Sequence, residues 1–137
     1  ALKAGEKRTV ETTSEQTQAE EFVLADAEPQ MIVSWADAAE DPGIKQKLKE
    51  LAEARMKQVE AQEALGRIQR EYDQVAESQD RTRENLRAVP NGDLQSRYLA
   101  QMGREEDRLG ELRRERDAAQ QVIGKFDKDV TRIIRTF

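Results

Sequence analysis

No proline interrupts the chain between Pro42 and Pro90, and none follows Pro90 as far as the last residue, Phe137. Proline costs a helix interior roughly 3 kcal/mol, so the spacing leaves two long windows open to uninterrupted helix. Ala, Glu, Gln, Lys, Arg and Leu, the better helix formers, dominate both windows. Asp41 suits an N-cap, and Pro42 suits the first helical position, where its missing N–H costs nothing. The run Pro90-Asn91-Gly92-Asp93 ends the first window with an Asn-Gly turn signal and offers Asn91 or Asp93 as a fresh N-cap. The spacing predicts helices over 41–89 and 94–137 joined by a turn at 90–93. They would be about 48 and 44 residues, or about 65–70 Å each at 1.5 Å per residue.

The apolar pattern supplies a register. Leu65, Ile68, Tyr72, Val75, Gln79, Thr82, Leu86 and Val89 alternate steps of 3 and 4, as do Tyr98, Met102, Glu105, Leu109, Leu112, Arg116, Ala119, Ile123, Phe126, Val130, Ile133 and Phe137. That is the a/d seam of a coiled coil. A short connection makes the helices antiparallel. With the turn centred near residue 92, facing seam positions have numbers adding to 184, so Leu86 faces Tyr98, Thr82 faces Met102, Val75 faces Leu109, and Leu51 faces Ile133. Large residues meet small ones at Leu65/Ala119, Ala61/Ile123 and Ala54/Val130, the alternation a packed core needs.

Four layers depart from the apolar rule: Gln79/Glu105, Gln58/Phe126, Ile68/Arg116 and Lys47/Phe137. The amide of Gln79 is expected to donate to Glu105, either to set the register or as a polar contact point near the tip. Arg116 is expected to lay its stem on Ile68 and send its guanidinium outward. Before Ala61 a second stripe appears at Leu48, Leu51, Ala52, Arg55, Met56 and Val59. A face that wide calls for a third element. It would come either from residues 20–40, bringing Phe22, Leu24, Met31, Ile32 and Trp35, or from a second copy in a homodimer. Gly103, Gly110 and Gly124 share one face of the second helix, which either admits another backbone or is simply solvated.

Residues 1–40 differ in texture. Thr9-Val10-Glu11-Thr12-Thr13 after Gly5 reads as a strand or else as linker, Phe22-Val23-Leu24 as a second short strand, and Met31, Ile32 and Trp35 as the apolar face of a short helix. The expected fold class is therefore mainly α. It is a long antiparallel two-helix coiled-coil hairpin over 41–137, with a small strand and short-helix segment from residues 1–40 packed at its base.

Composition bears on chemistry. The 137 residues contain no cysteine and no histidine, which removes disulfides, thiolate or imidazole metal ligands and any histidine-activated nucleophile. No stretch approaches the roughly 20 apolar residues of a membrane span. Residues 1–40 carry three bases against nine acids, whereas the rest is nearly balanced within a total of −5. That mixture suits solvated helix surfaces with i,i+4 pairs and not a nucleic-acid footprint. Asp127-Lys128-Asp129 lacks the glycine and ligand spacing of a calcium loop, and no phosphate-binding glycine motif occurs. No catalytic residue, metal, cofactor or small-molecule substrate is expected. The local basic cluster of Arg81, Arg83, Arg87 and Arg97 near the turn, joined by Asn85 and Tyr98, either binds a partner or pairs with Asp80, Glu84 and Asp93.

The run Gln79-Asp80-Arg81-Thr82-Arg83-Glu84-Asn85-Leu86, with Asp93-Leu94, Arg97-Tyr98-Leu99 and Glu106-Asp107, resembles the C-terminal helical segment of bacterial exported proteins related to mucoidy-inhibitor-like sequences. In those proteins of unknown function a β-rich domain precedes a helical hairpin. The opening Lys3-Ala4-Gly5-Glu6-Lys7-Arg8-Thr9-Val10-Glu11 resembles the last strand of that β-rich domain. The resemblance covers most of the chain. It implies the C-terminal domain of a larger envelope or periplasmic protein, and it carries no activity. The expectation is a non-catalytic structural or protein-interaction module whose partner is another protein or a second copy. The alternative is a ligand- or adaptor-binding domain that uses Arg81, Arg83, Asn85, Arg97 and Tyr98.

Overall fold

A computed structural model describes residues 23–137. The three full helices are α1 (Pro29–Ala38), α2 (Pro42–Ala88) and α3 (Asp93–Ile134). No strand occurs among the described residues. The strand expected at Thr9–Thr13 lies outside them. The other, over Phe22-Val23-Leu24, is corrected at Val23 and Leu24, which belong to helical backbone over residues 23–26. A three-residue apolar run finds no strand to pair with here, whereas a helical turn sets Leu24 and Ala27 on one side, i to i+3. Ala27 is buried and Leu24 packs against the same core.

The cap of α2 forms as its sequence dictates. Gly43 N–H donates to Asp41 Oδ1 at 2.9 Å, and Lys45 N–H closes the first helical bond onto the Asp41 carbonyl at 2.9 Å. The start of α3 differs from expectation. Ser96 N–H donates to the carbonyl of Gly92 at 3.1 Å, so Gly92 is the cap and neither Asn91 nor Asp93 is. Gly92 has φ of +151°, a conformation open to glycine at little cost. Asp93 instead stands in the first turn, where its carboxylate complements the helix dipole. At the other end α3 stops at Ile134, short of residue 137. The last turns tighten to i,i+3 bonds, Thr136 N–H to Ile133 O and Phe137 N–H to Ile134 O, which satisfy terminal carbonyls.

The chain divides into two compact units, one formed by residues up to Val59 with Lys125–Phe137, the other by Glu60–Gly124. Within the first, α1 buries Pro29, Ile32 and Ala36. These fall at i, i+3 and i+7, one stripe of a 3.6-residue repeat. Trp35 packs beside them, but Met31 lies 53% exposed, off the face it was expected to share, because it is turned 100° from Ile32. The facing helices bring Leu48, Leu51, Ala52 and Ala54 from α2 and Val130, Ile133 and Ile134 from α3. The widened stripe on α2 is thus covered by this chain's own α1. Met56 is the exception, left 48% exposed. Arg55 Nε reinforces the docking by donating to the carbonyl of Ala27 at 3.1 Å.

Two irregular layers of this unit resolve into polar contacts. Lys47 Nζ lies 5.8 Å from the centre of the Phe137 ring, a cation–π contact, and donates to the carbonyl of Thr136. Gln58 donates its amide to Asp127 Oδ1 while its own oxygen accepts from Arg55 Nη1.

Candidate functional site

The unit Glu60–Gly124 consists of α2 and α3 alone, packed antiparallel. The pairs Tyr72 with Arg113 and Gln79 with Glu106 run in opposite senses along the two helices. Their seam follows the sequence register. From Leu65 to Val89 and from Tyr98 to Ile123, every seam position is buried or half-buried. Leu112, Thr82 and Leu109 are its driest positions, at 0%, 2% and 3% exposure. Ile68 and Arg116 are both half-buried, and the guanidinium of Arg116 leaves the seam to meet Asp117 at 3.3 Å, as a snorkelling arginine should.

The Gln79/Glu105 layer is built otherwise than expected. Gln79 Nε2 donates to Oε2 of Glu106, not of Glu105, at 2.8 Å. Glu105 is 9% exposed, and neither of its carboxylate oxygens has a hydrogen-bond partner among the described residues. The exposed carboxylate at 106 keeps its hydration while accepting the amide, so the long Gln79 side chain reaches the solvent edge instead of the seam centre. Thr82, 2% exposed, satisfies its hydroxyl internally by donating to the carbonyl of Ser78 at 2.9 Å.

An inter-helix clamp that pattern reading missed lies nearby. Arg108 Nε and Nη2 reach Glu71 Oε1 at 2.9 and 2.8 Å, and Nη2 reaches Oε2 at 2.9 Å. Glu111 at 3.0 Å and Glu115 at 3.7 Å complete a carboxylate cluster around the one guanidinium. The hydrogen bonds to Glu71 and then Glu111 push the Arg108 pKa above its ordinary value. Neither residue sits in the seam; both occupy positions that directly precede seam residues, Tyr72 and Leu109. That flanking relationship was the available signal. On the other edge Arg113 lies 5.9 Å from the Tyr72 ring centre and its Nε points at the hydroxyl at 3.5 Å, with the Arg113 pKa raised chiefly by that contact.

The clamp assigns the tip residues to edges. Glu71, Gln74, Ser78, Arg81 and Asn85 form one stripe of α2, and Arg97, Gln101, Arg104 and Arg108 form one stripe of α3. The Glu71–Arg108 pair and an open recess of about 290 Å³ lined by Gln74, Val75, Ser78, Arg104, Glu105 and Arg108 place both stripes on the same edge. Arg81, Asn85 and Arg97 are exposed there. Arg83 is exposed but turned 200° from Arg81, where it meets Asp80 at 3.4 Å. Tyr98 is half-buried in the seam. Three of the five tip candidates thus share an edge, while Arg83 and Tyr98 face elsewhere.

Gly103 and Gly124 have open space where a Cβ would stand, and Gly110 has only the Arg114 guanidinium, at 3.8 Å. The glycine stripe admits no close backbone among the described residues. Those residues include no group of three His, Cys, Asp or Glu placed to hold a metal ion. No described helix is long and apolar enough to cross a membrane. No family model, curated protein or solved structure matches the sequence.

Proposed function

We propose that this chain is a non-catalytic structural and protein-interaction module, a coiled-coil hairpin that presents its charged edges and tip to a partner protein. The observation that supports this most is the economy of the Glu60–Gly124 unit. Its buried apolar residues follow one seam, and the exposed remainder, apart from Leu94, Leu99 and Val122, is dense in arginine and carboxylate. A chain with neither histidine nor cysteine, whose described carboxylates other than the lone buried Glu105 lie on solvated helix faces, is better suited to recognition than to acid–base chemistry, which pairs groups held in water-poor pockets. The resemblance of its Arg/Asn/Leu-bearing segment to exported bacterial proteins supports a place in a larger envelope or periplasmic protein. Exposed Val23, Met31, Ile44 and Met56 on the first unit keep a homodimer within the same reading.

The test is partner capture by cross-linking with Arg81, Arg83 and Arg97 all changed to glutamate, with helicity followed by circular dichroism. Lost capture from a fully helical variant supports the tip and its edges as the recognition surface. Hydrolase or transferase turnover by the purified chain would overturn the reading. Sedimentation of the same material measures whether a second copy is the partner.

A further inference from the structure

One edge of the Glu60–Gly124 unit carries a run of exposed arginines. Arg81, Arg97 and Arg104 are all exposed on it and make no ion pair among the described residues, whereas Arg108 at its end is saturated by Glu71, Glu111 and Glu115. Between that clamp and the turn, no acidic residue occupies either stripe of this edge. The opposite edge mixes signs, with Asp80 against Arg83 and Glu106 against Gln79.

Arg97 and Arg104 are one heptad apart, about 10.5 Å along α3 at 1.5 Å per residue. The open recess between the two helices is lined by Gln74, Val75 and Ser78 on one side and Arg104, the buried Glu105 and Arg108 on the other, and the surface it exposes is mainly carbon. A hole formed by neighbouring residues, flanked by charges at heptad spacing, is the receiving half of coiled-coil packing, in which a knob supplies contact and flanking charges select the partner.

We propose that this edge docks a third helix, an acidic amphipathic segment of a partner protein. The segment bears carboxylates a heptad apart for Arg97 and Arg104 and an aliphatic knob for the recess. The reading refines the interaction function proposed above and rests on it. A polyanion fits less well. Glu105 lines the recess and Glu71, Glu111 and Glu115 close its Arg108 end, so a continuous run of phosphates along the edge meets carboxylates, whereas a helix can set its own carboxylates against Arg97 and Arg104 alone.

The experiment titrates the full chain into a labelled synthetic helix with Glu at heptad-spaced positions and Leu between them, read by fluorescence anisotropy. The same helix with Lys for Glu, and inorganic polyphosphate, serve as the comparison probes. Saturable binding of the Glu helix is expected to weaken about tenfold or more in the Arg97→Glu/Arg104→Glu variant and with added salt. It should stay unchanged in Arg113→Glu/Arg114→Glu, which alters charge equally away from this edge. Arg97→Gln/Arg104→Gln substitutes if the reversal fails to fold. No saturable binding of the Glu helix, equal loss in both variants, or tighter binding of polyphosphate overturns the proposal. Cross-linked partner capture that survives Arg97→Glu/Arg104→Glu would overturn this edge while leaving the broader interaction reading intact.

Discussion

Arg108 holds Glu71 across the two helices through both Nε and Nη2, a fork-on-carboxylate contact with every leg between 2.8 and 2.9 Å. The planar guanidinium is the only side chain that can make this paired contact, since a lysine ammonium acts as a point charge. Both partners are more than a third exposed, so solvent and salt screen much of the attraction. Arg108→Lys is therefore expected to lower the denaturation midpoint slightly, with the difference shrinking at high salt. A double-mutant cycle with Glu71→Gln reads the coupling directly. Because the Arg108 pKa is raised in the folded chain, the arginine's contribution is complete below the ordinary arginine range and is lost only as pH climbs through the raised value. The coupling should accordingly show no arginine-derived change across neutral pH.

Glu105 gives the opposite expectation for a charged residue. Its two buried oxygens lack donors, and an unsatisfied buried polar group costs about 1–3 kcal/mol. Replacing it with leucine adds an apolar residue to a seam position. Glu105→Leu should stabilise the chain by about that amount in urea unfolding. A loss of stability would mean that the carboxylate has a partner in solution.

Leu51 and Met56 belong to one sequence stripe yet differ in burial, 0% against 48% exposed. Leu51→Ala removes methyl groups from the layer shared with Ile133 and should cost about 2–5 kcal/mol. Met56→Ala should fall within about 0.5 kcal/mol of the parent. Ile32→Ala in α1, also 0% exposed, should resemble Leu51→Ala if α1 docks in solution as it does here. Chemical denaturation of the three variants makes the comparison.

Two glycines should respond with opposite sign. Gly92 has φ of +151°, so Gly92→Ala forces a side chain into strained backbone and should destabilise the turn by about 1 kcal/mol or more. Gly103 lies inside α3 with open space around its Cβ position. Gly103→Ala should stabilise by about 1 kcal/mol, the helix-propensity difference. Thermal melts followed at 222 nm distinguish the two.

The residues that were legible in the sequence are those governed by local rules. Pro42 behind Asp41, the Pro90–Gly92 break and the 3–4 apolar steps each act within a few residues, and all appear in the fold as expected. The tip candidates were less legible. Arg81 and Arg83 stand two apart, and only the 100° turn per residue together with the Glu71–Arg108 contact shows that they face different edges. Gln79 likewise had two acidic neighbours in reach, and solvent exposure decided for Glu106.

By itself the sequence determined that two long helices must form, that the chain breaks between them near Pro90–Gly92, and that a stripe at 3–4 spacing turns inward. Those outcomes depend on backbone propensity and on a repeat with a fixed period. Tertiary structure alone decided that Val23 and Leu24 adopt helical backbone instead of a strand, that Ile32 is covered while Met31 is not, and that Glu105 is left without a donor. Each of these depends on what lies on the far side of the residue: another element to pair with, a surface to dock against, or a donor within hydrogen-bond reach. No local pattern encodes those neighbours, because they arrive from distant parts of the chain.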